Sequence, residues 1–134
     1  MDVGEAMIVA GLGCKAGTPA DAVLAAIAAA LQTYAVEPET LNALASSEKK
    51  AIEPGIREAA IILSLPLHAV ADDLLRDAQA GTVTHSSFSM AVAGVSSVSE
   101  AAALAACGPG SALFGPRVAR NGVTCALAFD GVLP

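Results

Sequence analysis

Two hydrophobic periods alternate along this chain. An apolar run from Ala6 to Ala10 gives way to Gly11-Leu12-Gly13-Cys14-Lys15-Ala16-Gly17-Thr18-Pro19, after which Val23, Ile27, Leu31 and Tyr34 recur at spacings of three and four. This order predicts a strand, a glycine loop and a helix over Pro19 to Tyr34, with Thr18 as its cap and Pro19 in the first turn. Leu41 to Ser46 is short and apolar and runs into Ser47-Glu48-Lys49-Lys50, the pattern of a buried strand ending in a polar loop. Glu53-Pro54-Gly55 then opens a second helix with Ile56, Ala60 and Leu63 on its inner face. Leu65 to Val70 predicts a third strand, because Pro66 is tolerated at a strand's first positions. Asp72 to Ala78 predicts a short helix whose Asp72, Asp73 and Asp77 form a solvated face.

Beyond Gly81-Thr82 the pattern is less regular, with Ser86 placed to cap a short helix through Ala91. Ser97-Val98-Ser99-Glu100 then has the form of a capping box, followed by strong helix formers from Ala101 to Ala106 and a stop at Gly108-Pro109-Gly110. Ser111 to Gly115 and Val123 to Phe129 read as strands around Arg120-Asn121-Gly122, where Asn-Gly signals a hairpin turn. The whole pattern predicts a single α/β domain over residues 1–134, a three-layer α/β/α arrangement. Its sheet is expected to be mostly parallel, with an antiparallel strand from the C-terminal hairpin near one edge. Right-handed crossovers would bring the glycine loop and the helix starts to the carboxyl edge of that sheet, where ligands of open α/β sheets bind.

Composition sharpens this picture. The apolar share is 54%, mostly alanine and valine, with three Phe, one Tyr and no Trp, which suits closely packed helix-on-sheet layers. No apolar run approaches the roughly 18 to 20 residues that span a bilayer, and no basic region precedes a hydrophobic one at the N-terminus, so a cytoplasmic protein without a membrane partner is expected. A formal charge of -6 and few aromatic rings argue against nucleic acid as a partner. Cys14, Cys107 and Cys125 are odd in number and lack a Cys-x-x-Cys spacing, and His68 and His85 complete no ligand set. Neither a metal nor a cofactor is therefore expected.

The glycine loop carries the main candidate chemistry. Gly11-x-Gly13-x-x-x-Gly17 has one residue too many for a dinucleotide fingerprint, and no acidic ribose partner follows a second strand. Two readings remain open: a turn that uses glycine for close helix-strand packing, or an anion cradle built from Gly11, Gly13, Cys14, Lys15, Gly17 and Thr18. Lys50 and Glu53 are either an exposed ion pair or a second approach to the same edge. Ser97 and Glu100 form a helix cap whose amides also suit a ligand carboxylate, with Ser86 and Arg117 as further candidates. Cys14 is either a small buried hydrophobe or a nucleophile sensitised by a helix start and Lys15, with no histidine near it in sequence.

Three blocks, Gly11-Leu12-Gly13-Cys14-Lys15-Ala16-Gly17-Thr18, Ala45-Ser46 with Lys50-x-x-Glu53-Pro54-Gly55, and Ser97-Val98-Ser99-Glu100-Ala101-Ala102-Ala103-Leu104, in this order resemble the CobE family and the C-terminal domain of CbiG. The resemblance runs from Ile8 to Phe129. It implies a three-layer α/β fold and a place in cobalamin (vitamin B12) biosynthesis, with a precorrin-type tetrapyrrole as ligand and other pathway enzymes as partners. CbiG-type proteins open a lactone on a corrin precursor and release a two-carbon fragment, and they carry a further N-terminal region. This chain begins at the shared domain and so resembles the stand-alone form.

The expectation that follows is an accessory protein that binds a corrin-pathway intermediate and passes it on. The rival is a hydrolase-like enzyme acting at the ring periphery through Cys14 or Lys50, and a third reading is a phosphate- or nucleotide-binding module sharing the fold. Corrin precursors bear acetate and propionate side chains, which suit helix starts and a few cations. Leu12, Phe88, Met90 and Val95 are the candidates for an apolar wall against the macrocycle. Where relatives often place a second basic residue after Lys15 this chain has Ala16, which points to weaker affinity for those acids.

Overall fold

The computed structural model describes residues 7–82 and 97–131. Its elements in chain order are β1 (Met7–Gly13), α1 (Ala20–Thr33), β2 (Leu41–Ser47), α2 (Glu48–Ala51), α3 (Pro54–Leu63), β3 (Leu67–Val70), α4 (Asp72–Asp77), α5 (Val98–Cys107), β4 (Ala112–Leu113), β5 (Val118–Arg120) and β6 (Val123–Asp130). The strands form one six-stranded sheet in the order β3-β2-β1-β6-β4, with β5 also paired to β6. β1, β2 and β3 are parallel, and β6 runs antiparallel to β1 along its whole length, from Met7 opposite Asp130 to Gly13 opposite Thr124. The expected α/β architecture is thus present, and β6 lies in the interior of the sheet with β4 and β5 beside it.

The alternation of side chains along β1 divides the core in two. Ile8, Ala10 and Leu12 pack with Val23, Ile27 and Leu31 of α1, Ile56 and Ala60 of α3, and Val123, Cys125 and Leu127 of β6. Val9 points to the opposite face, against Ala101, Ala102, Ala103 and Leu104 of α5 and Leu75 of α4. That second layer is made almost wholly of small side chains, so α5 lies close to the sheet. At Gly11 the approach is closest: a Cβ there would sit 1.9 Å from the Ser99 carbonyl oxygen and 2.7 Å from the Ala103 nitrogen. Backbone atoms cannot swing aside, so this position admits only glycine.

Several boundaries differ from the sequence reading. β1 continues through Gly13, so Gly11 and Gly13 are strand residues and the loop is confined to residues 14–19. Pairing of both with β6, and of Gly11 also with Ala45 of β2, satisfies their backbones, which outweighs glycine's weak strand propensity. Thr18 does not cap α1, whose N-cap is Pro19, because the Thr18 hydroxyl donates instead to the Lys15 carbonyl at 2.7 Å. The polar loop after β2 is the short helix α2, capped by Ser47, whose Oγ accepts from the Lys50 N–H at 3.2 Å. The hairpin forms around Asn121-Gly122 as expected, with φ of 54° and 79°, but the strand entering it is Val118–Arg120 and not Ser111 to Gly115. Leu12, a candidate for the apolar wall, is fully buried in the α1 and α3 layer and cannot face a ligand. Ser86, His85, Phe88, Met90 and Val95 lie outside the described residues.

Candidate functional site at the carboxyl edge

The parallel strands β1 and β2 end side by side, and their following segments build one side of the edge. Gly55, in the first turn of α3, is pressed so closely on the loop that a Cβ would lie 2.0 Å from the Thr18 carbonyl oxygen. The Glu53 carboxylate, just ahead of α3, accepts the Gly17 N–H at 2.9 Å. Gly17 has a φ of +80°, a left-handed turn with open space beside its Cα, and its N–H is directed at that carboxylate. Lys15 is exposed in the same loop and Lys50 is half-buried in α2. Beside the loop, Gly17, Pro19, Asp21, Pro54, Gly55 and Glu58 line an open cleft of about 350 Å³ at the starts of α1 and α3.

Cys14 lies among these groups. Burial pushes its thiol above the ordinary value, the dominant effect, while its hydrogen-bonding contact with the Thr18 side chain and the charge of Lys50 pull it down and Glu53 pushes it up. The structure therefore brings Cys14, Thr18, Lys50 and Glu53 together from two segments separated in sequence. Glu53 does so by occupying the loop amide with its own carboxylate.

The other side of the edge is built by α5 and the segment before β5. α5 runs antiparallel to β1, with Ser99 over Gly11 and the Cys107 thiol donating to the Met7 carbonyl at 3.5 Å, so its start lies at the carboxyl end of β1. Ser97 caps the helix, its Oγ accepting from the Glu100 N–H at 3.4 Å. Ser97, Ser99 and Glu100 are all buried, and the Ser97 hydroxyl also receives Arg117 Nη1 at 3.5 Å. This start is closed over by its own chain, so the exposed amides expected there are absent at these three residues. The Glu100 carboxylate accepts the Arg117 N–H at 2.9 Å.

Gly11 and Gly13 lie beneath rather than in the loop. Gly11 faces α5, and at Gly13 a Cβ would meet Thr124 Oγ1 at 2.7 Å. Sequence reasoning missed Tyr34, which it placed only on the core face of α1. Its hydroxyl donates to the Pro116 carbonyl at 2.5 Å, and its ring packs beside Phe114. The signal available was that this is the chain's sole tyrosine, a residue whose hydroxyl seeks a partner when its ring is packed. Among the described residues, no group of three or more His, Cys, Asp and Glu is placed to hold a metal ion, and no helix is long and apolar enough to cross a membrane.

Comparison with known proteins assigns the chain to a family. The family described as "Cobalamin synthesis G C-terminus" matches residues 8–128. "Protein CobE" from Sinorhizobium sp is 35% identical over 127 residues, covering 94% of this chain and 82% of that protein. Among solved structures, CobE from the cobalamin biosynthetic pathway superposes with a TM-score of 0.89 at 32% identity, covering 97% of this chain and 95% of the other. The cobalamin biosynthesis protein chiG of Agrobacterium tumefaciens gives 0.73 at 43% identity, covering 91% and 97%. A cobalamin biosynthesis protein G homologue from Sulfolobus solfataricus shares the fold, at 0.71 and 21% identity over 92% of this chain and 36% of that one. The chain belongs to the family of the CbiG C-terminal domain and CobE, proteins of cobalamin biosynthesis.

Proposed function

We propose that this protein binds a precorrin-type tetrapyrrole at the carboxyl edge of its sheet and passes it between enzymes of cobalamin synthesis in the cytoplasm. The observation that supports this reading is the loop amide of Gly17, which holds a carboxylate at 2.9 Å with lysines on both segments that build the site. In the free protein that carboxylate belongs to Glu53. A ligand acetate or propionate takes its place, while Lys15, Lys50 and Thr18 supply charge and a hydroxyl on one side and Arg117 reaches in from the other. Gly11, Gly13, Ser97 and Glu100 then act by shaping and holding the edge rather than by touching the ligand.

The test is a titration of the protein with uroporphyrin and with pathway tetrapyrroles, followed through their visible absorption bands, with ATP and NAD as controls. Micromolar binding is expected, about 8 kcal/mol, which a few charge-assisted contacts and partial ring burial can supply. Tight binding of a nucleotide with no response to any tetrapyrrole overturns the reading. Lys15→Ala and Lys50→Ala are each expected to weaken binding severalfold and leave the melting temperature nearly unchanged; early melting with normal binding would remove both from the site.

The enzymatic alternative, a hydrolase-like step at the ring periphery, rests on Cys14 lying near Lys50 and Thr18. Burial holds the thiol in its neutral form, and a nucleophile without a base gains little. Purified protein is expected to yield no new tetrapyrrole species by mass spectrometry. A mass change that disappears in Cys14→Ser would make this an enzyme.

A further inference from the structure

We infer that the four residues Phe114 to Arg117 form a fixed mount for the Arg117 guanidinium, and that Glu100 and Tyr34 are its positioning residues for a ligand carboxylate at the same edge. Each residue of this strap is tied down separately. The Phe114 N–H donates to the Leu127 carbonyl at 3.0 Å, and its ring meets Phe129 edge-on at 4.9 Å. Gly115 lies against Tyr34, where a Cβ would come within 2.6 Å of the hydroxyl oxygen. The Pro116 carbonyl takes the Tyr34 hydroxyl proton at 2.5 Å, and the Arg117 N–H goes to Glu100 at 2.9 Å.

The burial of Glu100 is what makes this more than a well-ordered turn. A fully buried carboxylate is expensive, and it persists where hydrogen bonds and a favourable field offset the loss of water. The start of α5, where Glu100 is the third helical residue, contributes to that field, and the strap backbone contributes one hydrogen bond. Burial raises the Tyr34 hydroxyl above its ordinary value, and the charge of Glu100 adds to it. A carboxylate that accepts the backbone N–H of Arg117, whose own side chain carries a cation onto the cap, fixes where that cation stands. The guanidinium has several donors in a planar fork, and one of them meets Ser97 Oγ at 3.5 Å. Arginine held in place loses little freedom on meeting a carboxylate, so the mount is a device for preorganisation.

This inference rests on the tetrapyrrole reading for its ligand but not for its geometry, and the experiment separates the two. Uroporphyrin affinity is measured for Arg117→Ala, Glu100→Ala, Glu100→Gln, Tyr34→Phe and the double variant Glu100→Ala with Arg117→Ala. Arg117→Ala is expected to lose roughly tenfold, the size of one charge-assisted contact. Glu100→Ala should lose about as much, the double variant no more than either, and Glu100→Gln less than about twofold, since its carboxamide oxygen still accepts the Arg117 N–H. A role confined to folding would leave the two losses multiplying, and that result overturns the mount. Hydrogen exchange at the Arg117 amide is measured in parallel without ligand. Protection should fall about tenfold or more in Tyr34→Phe and in Glu100→Ala and much less in Glu100→Gln, and Tyr34→Phe alone decides if the alanine variant does not fold. Unchanged protection overturns the mount even if uroporphyrin binds, whereas lost protection with no binding by the wild type retains the mount and removes the tetrapyrrole reading.

Discussion

Gly11, Cys14 and Glu53 each have a role that residue type alone leaves open. Gly11 belongs to the packing of α5, because the space for a side chain is filled by backbone atoms of Ser99 and Ala103. Gly11→Ala is expected to cost about 3 kcal/mol, read as a lowered midpoint in urea denaturation. A change under about 1 kcal/mol would mean that α5 slides aside freely. Cys14 is half-buried, and that burial outweighs the charge of Lys50, so at neutral pH the thiol is protonated in the folded protein. Alkylation by iodoacetamide should be slower than for a free thiol at pH 8 and accelerate only as the pH passes the ordinary thiol value. Rapid labelling at pH 7 would indicate an activated thiolate. Glu53 occupies the Gly17 amide that a ligand acid would use, so Glu53→Ala, which leaves that amide open, should bind uroporphyrin more tightly than wild type, severalfold in the titration. A variant that binds more weakly would make Glu53 a ligand contact instead of a competitor.

At the scale of elements, the sequence was most legible where a local signal and the fold demanded the same thing. The Ser97 cap is one such place: its hydroxyl accepts from the Glu100 N–H as the Ser-x-x-Glu pattern predicts, and Ser97→Ala should lower stability by about 1 kcal/mol in thermal or urea unfolding. Asn121-Gly122 is another, since both residues take the positive φ that a tight hairpin turn requires. Legibility failed where long-range partners decide. β1 runs on through Gly13 because β6 pairs with it from Met7 to Gly13, and nothing near Gly11 in the sequence announces a strand from the other end of the chain. Thr18 stands at a plausible cap position, yet the Lys15 carbonyl three residues back is a nearer partner for its hydroxyl. The candidate site was readable as two clusters, one around the loop with Lys50 and Glu53 and one around Ser97. The use of Glu100 was not, because its carboxylate also reaches a backbone amide 17 residues away, a partner no local pattern announces.

For the whole molecule, the acidic balance and the buried thiols set the response to pH. A chain of net charge -6 that receives an acidic ligand must concentrate its cations, and Lys15, Lys50 and Arg117 stand on one sheet edge while the rest of the surface is free to be acidic. The thiols act at the alkaline end. Burial pushes Cys125, in the middle of β6, up to about 12, and burial with the charge of Asp130 pushes Cys107 to about 11, from an ordinary value of 9.0. In the unfolded chain these groups release their protons near 9, whereas the folded protein retains them, so above that pH the folded state binds more protons and stability falls as pH rises. Their contribution is complete below pH 9 and is lost progressively between 9 and the folded values of about 11 and 12. Cys125 alone accounts for a slope of about 1.4 kcal/mol per pH unit across that interval. Urea unfolding between pH 8 and 11 should show this decline in the wild type and a shallower one in Cys125→Ala. The variant is expected to be less stable at pH 8, where it has lost packing, and to close part of that gap by pH 11. Parallel lines for the two proteins would show that the thiol of Cys125 ionises as readily in the folded sheet as in the unfolded chain, and would place water where the core of this fold should be dry.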